Sequence, residues 1–327
     1  MPRVNAGFRP LVESHSSWGK FFLPTFVPES RVPMQTASRG PSFAFVGTIR
    51  GGSTWFFEIL REHPGVFVPP NKGTYFFSQW HYKGKNWYEA FFPDRARQMA
   101  VGEVCEDYLA NPHALARMKA YDPSIRLVCC LRNPYERALS EWGFWGRNGL
   151  ARPTLSEQSE FSPGLFRTGY YATQLQTVFS LFPANQVLVF LFDDLKTAAN
   201  QIARRLYTFI GADPNFEPRS LWSVANANGK PRLRVLARLV HDVHMHSWGR
   251  SRAASNVVGT LKRIRPLRGM VRTLLYKEQP LYEDWMNYLA EFPQQVIVRY
   301  EQEIGALESI LGKDLSHWRA PGHPVDV

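Results

Sequence analysis

Cysteine is scarce in this chain, and long apolar runs do not occur. Only three of the 327 residues are cysteines, and two of these, Cys129 and Cys130, are neighbours. A disulfide between adjacent residues is strained and rare, and the spacing with Cys105 matches no metal site. We therefore expect reduced thiols in the core and a reducing compartment. No stretch approaches the ~20 apolar residues of a membrane-spanning helix, so we expect no transmembrane anchor.

The N-terminal region also lacks a recognisable targeting signal. Its apolar run from Lys20 to Val27 is short and interrupted by Pro24, unlike the apolar part of a secretory signal. We therefore expect a cytoplasmic protein, with a place at the membrane periphery as the alternative. Residues 1–40 contain several serines and prolines without periodicity, so we expect an extension there, followed by a single domain over residues 41–327.

Basic residues outnumber acidic residues, and the excess is concentrated in one segment of the chain. Lys and Arg number 39 against 28 Asp and Glu, a formal net charge of +11. Residues 230–277 hold twelve basic residues and one acidic residue, Asp242, which gives the same +11. This basic segment indicates an anionic ligand, acceptor or surface. Leu233, Leu236 and Val240 are spaced for one helix face, so we expect a helical insertion over residues 230–280.

Apolar runs of strand length alternate with helical patterns along most of the chain. The clearest runs are residues 43–46, 126–131 and 186–192. This alternation predicts an α/β fold with a P-loop-like, doubly wound parallel sheet flanked by helices. Ligands of such sheets bind beyond the carboxyl ends of the strands. Basic turns follow two of these strands, so both turns can serve one site.

The first basic turn has the pattern of an anion cradle. A strand, the small-residue turn from Gly47 to Ser53 and the start of a helix follow one another. Backbone N–H groups at a helix start lack helical partners and attract anions, and Arg50 adds a positive charge. The turn nearly matches the nucleotide P-loop, but Ser53 stands where the phosphate-binding lysine belongs. A kinase therefore remains the less favoured alternative.

Two motifs resemble those of one enzyme family. The run Arg50-Gly-Gly-Ser-Thr-Trp55 resembles the 5′-phosphosulfate loop of sulfotransferases, which use 3′-phosphoadenosine 5′-phosphosulfate (PAPS) and need no metal. The run Leu131 to Trp142 is similar to their 3′-phosphate motif, an arginine and a serine eight residues later, here Arg132 and Ser140. Lys83 to Tyr88 resembles the K-G-x-x-W-Y segment of heparan-type and bacterial carbohydrate sulfotransferases.

The resemblance implies roles for these residues. Arg50 and the amides of the following turn would hold the 5′-phosphate, and Arg132 and Ser140 would hold the 3′-phosphate. Trp55 would pack near the adenine or wall the cleft. The basic segment would close over the nucleotide as a lid. The implied cofactor-binding residues are Arg50, Gly51, Gly52, Ser53, Thr54, Trp55, Arg132, Ser140, Lys230 and Arg232.

Two departures from the family pattern leave the catalytic base open. Relatives often carry a glutamate after the lysine that corresponds to Lys72, and Gly73 occupies that place. The lysine of their G-E-K-T-P segment is replaced by Val104. Candidate catalytic residues are therefore Arg50, Lys72, Glu106, Asp107 and His81, with the two acidic residues preferred as base.

The expected activity is transfer of a sulfuryl group to a hydroxyl of a carbohydrate, glycolipid or small natural product. Two other classes stay open. One is a P-loop kinase, and the other is an anion-binding or nucleic-acid-binding protein that uses the basic segment. The second class leaves the two phosphate motifs unexplained, and we expect no nucleic-acid partner.

Overall fold

Five parallel strands form the sheet that the alternation of apolar runs and helices predicts. The computed structural model describes residues 40–92, 100–148, 150–222, 229–231, 276–278 and 285–322, all of which belong to one compact unit, 38–327. The sheet order is β2-β3-β1-β4-β5, and every pairing is parallel. These strands are β1 (Phe43–Gly47), β2 (Val66–Phe67), β3 (Ala100–Val104), β4 (Arg126–Leu131) and β5 (Val187–Leu191).

Helices cover both faces of this sheet, which confirms the doubly wound α/β fold. Helix starts follow the expected chemistry: the side chain of Asn111 accepts a hydrogen bond from the amide of Ala114, and Pro112 takes the first helical position. The α-helices in the described ranges are α1 (Ser53–Glu62), α2 (Lys85–Glu89), α3 (Pro112–Tyr121), α4 (Pro134–Arg147), α5 (Leu155–Phe161), α6 (Gly164–Arg167), α7 (Tyr171–Leu181), α8 (Phe192–Thr197), α9 (Ala199–Ile210) and α10 (Gln294–Leu311).

Alternate residues of the strands enter two separate cores. In β1, Ala44 and Val46 belong to the core under α3, α4, α7 and α10, whereas Phe43 and Phe45 belong to the core under α1 and α9. Strands that are buried on both faces read as continuous apolar runs, which is why β1 and β4 are visible in the sequence. The three cysteines are buried free thiols, as predicted.

The strand order reverses between β1 and β4. From β1 the chain moves to β2 and β3 on one side, and β4 and β5 follow on the other. A reversal of this kind opens a crevice beyond the carboxyl ends of the two strands. The turns that carry Arg50 and Arg132 leave β1 and β4 at this crevice.

The apolar spacing also predicts one helix from about residue 195 to residue 210 and one helical region over residues 285–311, and the structure divides both. The helix expected from about residue 195 to 210 is two helices, because Ala198 has a non-helical backbone between α8 and α9. The C-terminal helical region is a 3-10 turn (Trp285–Glu291) followed by α10, because Pro293 directly precedes the helix and starts it. At the two ends of the expected helical insertion, Gly229–Pro231 and Tyr276–Glu278 are strands. The residues whose spacing predicts a helix there, Leu233, Leu236 and Val240, lie outside the described residues, so the helix stays a prediction.

These two strands, β6 and β7, pair in antiparallel fashion. Lys230 therefore lies in a strand, and β6 runs beside α4. The interval between them, with Arg232, lies outside the described residues. Of the helices that are described, none combines the length and the apolar composition needed to cross a bilayer.

Candidate active site

The turn after β1 has no room for side chains at its two glycines. A Cβ atom on Gly51 would lie 2.2 Å from the carbonyl oxygen of Cys130. Gly52 has a φ of 87° and precedes α1 without any side-chain cap, and a Cβ there would lie 3.0 Å from Leu195 Cδ1. The backbone itself therefore forms the surface of the turn, and α1 begins directly after it.

Arg50 links this turn to the second motif. Its Nε lies 3.4 Å from Ser140 Oγ, and its guanidinium lies 4.8 Å from the centre of the Phe144 ring. Both partners are on α4, the helix that follows β4. Two motifs 90 residues apart in the chain thus meet at one place. Ser140 is buried, so its hydroxyl is held within this contact.

Arg132 is fixed by two neighbours. Its Nε and Nη2 donate to one oxygen of Glu136, at 3.0 and 2.8 Å. Its guanidinium also lies 4.6 Å from the centre of the Phe192 ring, and that ring is adjacent to Gly52 as well. Asn133 caps α4 by accepting from the amide of Tyr135. Arg132 is therefore held in one orientation, between the turn after β1 and the turn after β4. Its Nη1 takes no part in the ion pair with Glu136.

Trp55 belongs to the core. It is buried, its indole N–H donates to the carbonyl of Leu221 at 2.9 Å, and its ring meets Phe56 edge-on. The indole ties the segment around Leu221 to the start of α1. Contact between Trp55 and an adenine stays a prediction.

Lys72 joins the first turn to the acidic turn after β3. Its Nζ lies 3.0 Å from Ser53 Oγ and 3.1 Å from Glu106 Oε1. The other oxygen of Glu106 is buried and has no hydrogen-bond partner within the described part of the chain. Burying such an atom is costly unless a ligand satisfies it. One oxygen is thus anchored beside the anion cradle, and the other can accept a proton.

Asp107, the second candidate base, is engaged at both oxygens. Cys105 Sγ lies 3.1 Å from Oδ1, and the Ser78 hydroxyl donates to Oδ2 at 2.8 Å. Burial raises the pKa of Asp107 above its usual range. Both oxygens already serve local hydrogen bonds, so this carboxylate is less suited than Glu106 to accept a proton from a ligand.

The ring of Tyr75 occupies the space that a side chain at Gly73 would need. Gly73 has a φ of 77°, and a Cβ on it would lie 2.8 Å from Cε2 of the Tyr75 ring. Tyr75 itself has a φ of 54°. The nearby charge of Glu106, together with burial, raises the pKa of Tyr75. No sequence pattern selects Tyr75, because its position depends on left-handed backbone at both residues.

A buried carboxylate holds this turn in place. Glu103 accepts from the hydroxyls of Thr74 at 2.7 Å and Tyr88 at 2.6 Å. The side chain is almost fully buried, and that burial raises the pKa of Glu103 to about 7. The turn that carries Lys72 and Tyr75 is therefore attached to β3, the strand that ends at Val104, two residues before Glu106.

His81 lies apart from these groups. Its ring is 5.3 Å from that of Phe76, at the edge of a pocket that includes Arg117. Partial burial and the charge of Arg117 lower the pKa of His81. The structure therefore forms two groups of contacts at the first turn, one between Arg50 and Ser140 and the other from Ser53 through Lys72 to Glu106. His81 is in neither group.

Comparison with known proteins finds a family model that covers both phosphate motifs. A model of the sulfotransferase domain matches residues 41–225, more than half of the chain. Membrane-associated sulfotransferase kil1 of Dictyostelium discoideum is 29% identical over 107 residues, 32% of this chain and 23% of that protein. Heparan sulfate glucosamine 3-O-sulfotransferase 3B1 of Mus musculus is 27% identical over 202 residues, 56% of this chain and 51% of that protein.

The crystal structure of a sulfotransferase from Alicyclobacillus acidocaldarius has the same fold. It aligns with 85% of this chain and 98% of its own, at 20% identity and a TM-score of 0.59. The chain spans about half the length of the mouse relative and about a quarter of the Dictyostelium one. The matched residues 41–225 include both phosphate motifs and the acidic turn. The chain belongs to the sulfotransferase family.

Proposed function

We propose that this protein transfers a sulfuryl group from PAPS to a hydroxyl of a carbohydrate, glycolipid or small natural product. The observation that carries the proposal is the contact between Arg50 Nε and Ser140 Oγ at 3.4 Å. It joins the motifs that follow β1 and β4, so one ligand with phosphates at two positions can reach both. The name of the mouse relative specifies transfer to a hydroxyl position of a glycan, which supports a hydroxyl acceptor.

The residues present fit such a nucleotide. At Gly51 and Gly52 the backbone forms a cradle that any Cβ would disturb, and the helix start beyond it favours anions. Arg132 is held in a fixed orientation by Glu136 and Phe192, as a bidentate phosphate site requires. When bound, PAPS supplies the activated sulfuryl group.

Each residue of the site then has a role. Arg50 and the amides of the first turn would bind the 5′-phosphate and stabilise negative charge as it develops on the leaving group. Arg132 and Ser140 would bind the 3′-phosphate. Lys72, between Ser53 and Glu106, would stabilise charge near the transferred group and orient the Glu106 carboxylate. Glu106 Oε2 would accept the proton that leaves the acceptor hydroxyl.

We also propose that the basic segment closes the nucleotide site. Its first strand, β6, runs beside α4, the helix of Ser140. Lys230 and Arg232 would thus begin a lid over the nucleotide within a single domain of residues 41–327. The remaining arginines would face an anionic acceptor, in the cytoplasm or at a membrane surface.

Calorimetric titration tests the cofactor assignment. We expect the product nucleotide, 3′-phosphoadenosine 5′-phosphate, to bind well above ADP, since ADP lacks the group that Arg132 and Ser140 would hold. Arg132→Ala should weaken its binding by roughly 1.5–3 kcal/mol, the size of a charged hydrogen bond. Arg126→Ala is the matched control, because Arg126 lies at the other end of β4 and donates to Phe209. Equal affinity for the two nucleotides would overturn the proposal.

A further inference from the structure

The ring of Tyr75 lies over Gly73, beside the residues that the proposed function assigns to the acceptor. A Cβ atom on Gly73 would lie 2.8 Å from Cε2, 2.9 Å from Cζ and 3.2 Å from the hydroxyl oxygen of Tyr75. The hydroxyl end of the ring therefore reaches back across residue 73, which follows Lys72 in the chain. The charge of Glu106, the ion-pair partner of Lys72, is the main cause of the raised pKa of Tyr75, so the ring also lies near that carboxylate.

The backbone holds the Tyr75 ring in place. Tyr75 has a φ of 54°, a left-handed conformation that is uncommon for a residue with a bulky side chain. Its carbonyl oxygen accepts from the amides of Gln79 at 2.8 Å and Trp80 at 3.1 Å, and from the hydroxyl of Ser78 at 3.4 Å. Strained backbone that its surroundings fix in this way is concentrated at functional sites. The ring itself is partly buried against the core, so it forms a fixed wall.

The oxygen of Glu106 that is proposed to accept the proton is deeply placed. Oε2 is buried and has no hydrogen-bond partner in the part of the chain that the structure describes, while Oε1 is held by Lys72. An acceptor hydroxyl must come within about 3 Å of the base that takes its proton. Substituents on the carbon that bears this hydroxyl would then be brought towards the Tyr75 ring.

We infer that Tyr75 selects acceptors by shape, and that the acceptor presents a terminal hydroxyl, that of a primary alcohol. A secondary hydroxyl has carbon substituents on both sides, and one of them would meet the ring before the hydroxyl reached Glu106. One additional methyl group in a packed site changes kcat/KM by roughly tenfold or more. The inference rests on the proposed function, because it concerns the acceptor of that transfer, and it assigns the selection to the ring of Tyr75 rather than to its hydroxyl.

Two pairs of uncharged alcohols test this selection. Benzyl alcohol and 1-phenylethanol differ by one methyl group on the hydroxyl carbon, and 1-hexanol and 2-hexanol are isomers that differ in the position of the hydroxyl. Transfer of labelled sulfuryl from PAPS to each alcohol is measured on the full chain. Saturation-transfer NMR measures binding of the same alcohols in the presence of 3′-phosphoadenosine 5′-phosphate. We expect the primary alcohol to bind better and to have a kcat/KM roughly tenfold or more above its secondary partner in at least one pair.

Variants then assign the preference to the ring. Tyr75→Gly removes the ring and is compatible with the left-handed backbone, so the preference should largely disappear. Tyr75→Asn, which also tolerates this conformation, takes its place if the glycine variant does not fold. Tyr75→Phe keeps the ring and should keep the ratio of the two kcat/KM values. Tyr82→Ala is the control, because Tyr82 is 75% exposed in the next turn and its ring contacts Trp80.

Three results would overturn the inference. The first is equal use of the two alcohols in both pairs, and the second is no transfer to either primary alcohol. The third is a preference that survives in the folded Tyr75→Gly or Tyr75→Asn protein, or that is lost in Tyr75→Phe. Failure of the proposed function would appear separately, as equal affinity for ADP and 3′-phosphoadenosine 5′-phosphate in titrations that contain no alcohol.

Discussion

Glu106 has the arrangement that a general base requires. Lys72 anchors one carboxylate oxygen at 3.1 Å, and the other is buried without a partner among the described residues. Because Lys72 also contacts Ser53, the anchored oxygen lies beside the proposed phosphosulfate turn. A hydroxyl brought to the free oxygen would therefore be close to the group it is to receive.

Replacing Glu106 with glutamine should separate catalysis from cofactor binding. The amide keeps the shape of the side chain but cannot take up a proton, so we expect turnover to fall roughly 10²- to 10⁴-fold, as for the loss of a general base. Nucleotide affinity should hardly change, since the phosphate motifs are intact. Single-turnover rates with labelled PAPS, together with calorimetry, measure the two quantities.

Asp107→Asn is the neighbouring comparison. The asparagine can still accept the Ser78 hydrogen bond, and neither oxygen of Asp107 is available in the folded protein. We expect a much smaller loss of turnover than in Glu106→Gln. If the order of the two variants were reversed, Asp107 would be the base. Near-normal turnover in both would shift the role to His81 or to solvent.

At the level of elements, β3 and the turn over residues 72–78 depend on the buried Glu103. Thr74 Oγ1 donates to this carboxylate and accepts from the amide of Phe76 at 3.2 Å. Tyr88 on α2 donates to the other oxygen. One side chain therefore connects a strand, a turn and a helix, and the turn presents Lys72 to Glu106.

Glu103 should make stability depend on pH in a defined window. An unfolded glutamate loses its proton near pH 4.3, whereas burial raises the pKa of Glu103 to about 7 in the folded protein. Between these values the folded state holds a proton that the unfolded chain has released. The free energy of unfolding should therefore fall as pH rises through this window, by roughly 4 kcal/mol in total.

Urea unfolding at pH 5 and pH 8 measures this effect against Glu103→Gln, whose amide does not titrate. We expect the wild type to lose stability relative to the variant between the two pH values. Glu157→Gln, on the exposed face of α5, serves as the surface control. A wild-type-to-variant difference that is the same at both pH values would show that Glu103 titrates as in the unfolded chain.

The elements that sequence reasoning found are those whose chemistry is local. Each phosphate motif lies within one strand, turn and helix, with Arg50 and its glycine pair in the first and Arg132 and Ser140 in the second. Their spacing in the sequence is therefore enough to locate both motifs. Even the pairing of Arg132 with Glu136 follows from a separation of four residues on a helix start. Sheet order then brings the two turns together, because both follow strands at the reversal point.

The residues proposed to act on the acceptor depend on contacts between distant parts of the chain, and spacing in the sequence does not predict such contacts. Lys72 and Glu106 are 34 residues apart in the chain, and their pairing requires the turn that Glu103 holds against β3. The exclusion of any side chain at Gly73 depends on the left-handed backbone of Tyr75. The burial of Trp55 against Phe56 likewise depends on the folded core, and its contact with an adenine stays a prediction.

At the level of the whole molecule, charge is unevenly distributed. The chain carries +11, and the basic segment of residues 230–277 accounts for that excess. Its two ends are held together by β6 and β7, next to α4. If the segment closes over the site as proposed, its positive charge would attract an anionic acceptor.

Salt should therefore weaken the use of an anionic acceptor. Exposed charges are screened beyond ~10 Å at 0.1 M salt, so we expect the acceptor KM to rise steeply between low and moderate ionic strength. Charge reversal at Arg263 and Arg265, which lie outside the described residues, should raise KM and flatten the salt response. A KM that ignores both salt and charge reversal would make the segment a solvated surface.

The pairing of β6 with β7 sets the distance between the two ends of the interval that joins these strands. Pro231 lies opposite Tyr276 in the ladder, and facing residues of an antiparallel pair are only about 5 Å apart. The two ends of the interval between them, residues 232–275, therefore lie close together. We expect that a short hairpin turn can replace that interval without changing the path of either strand.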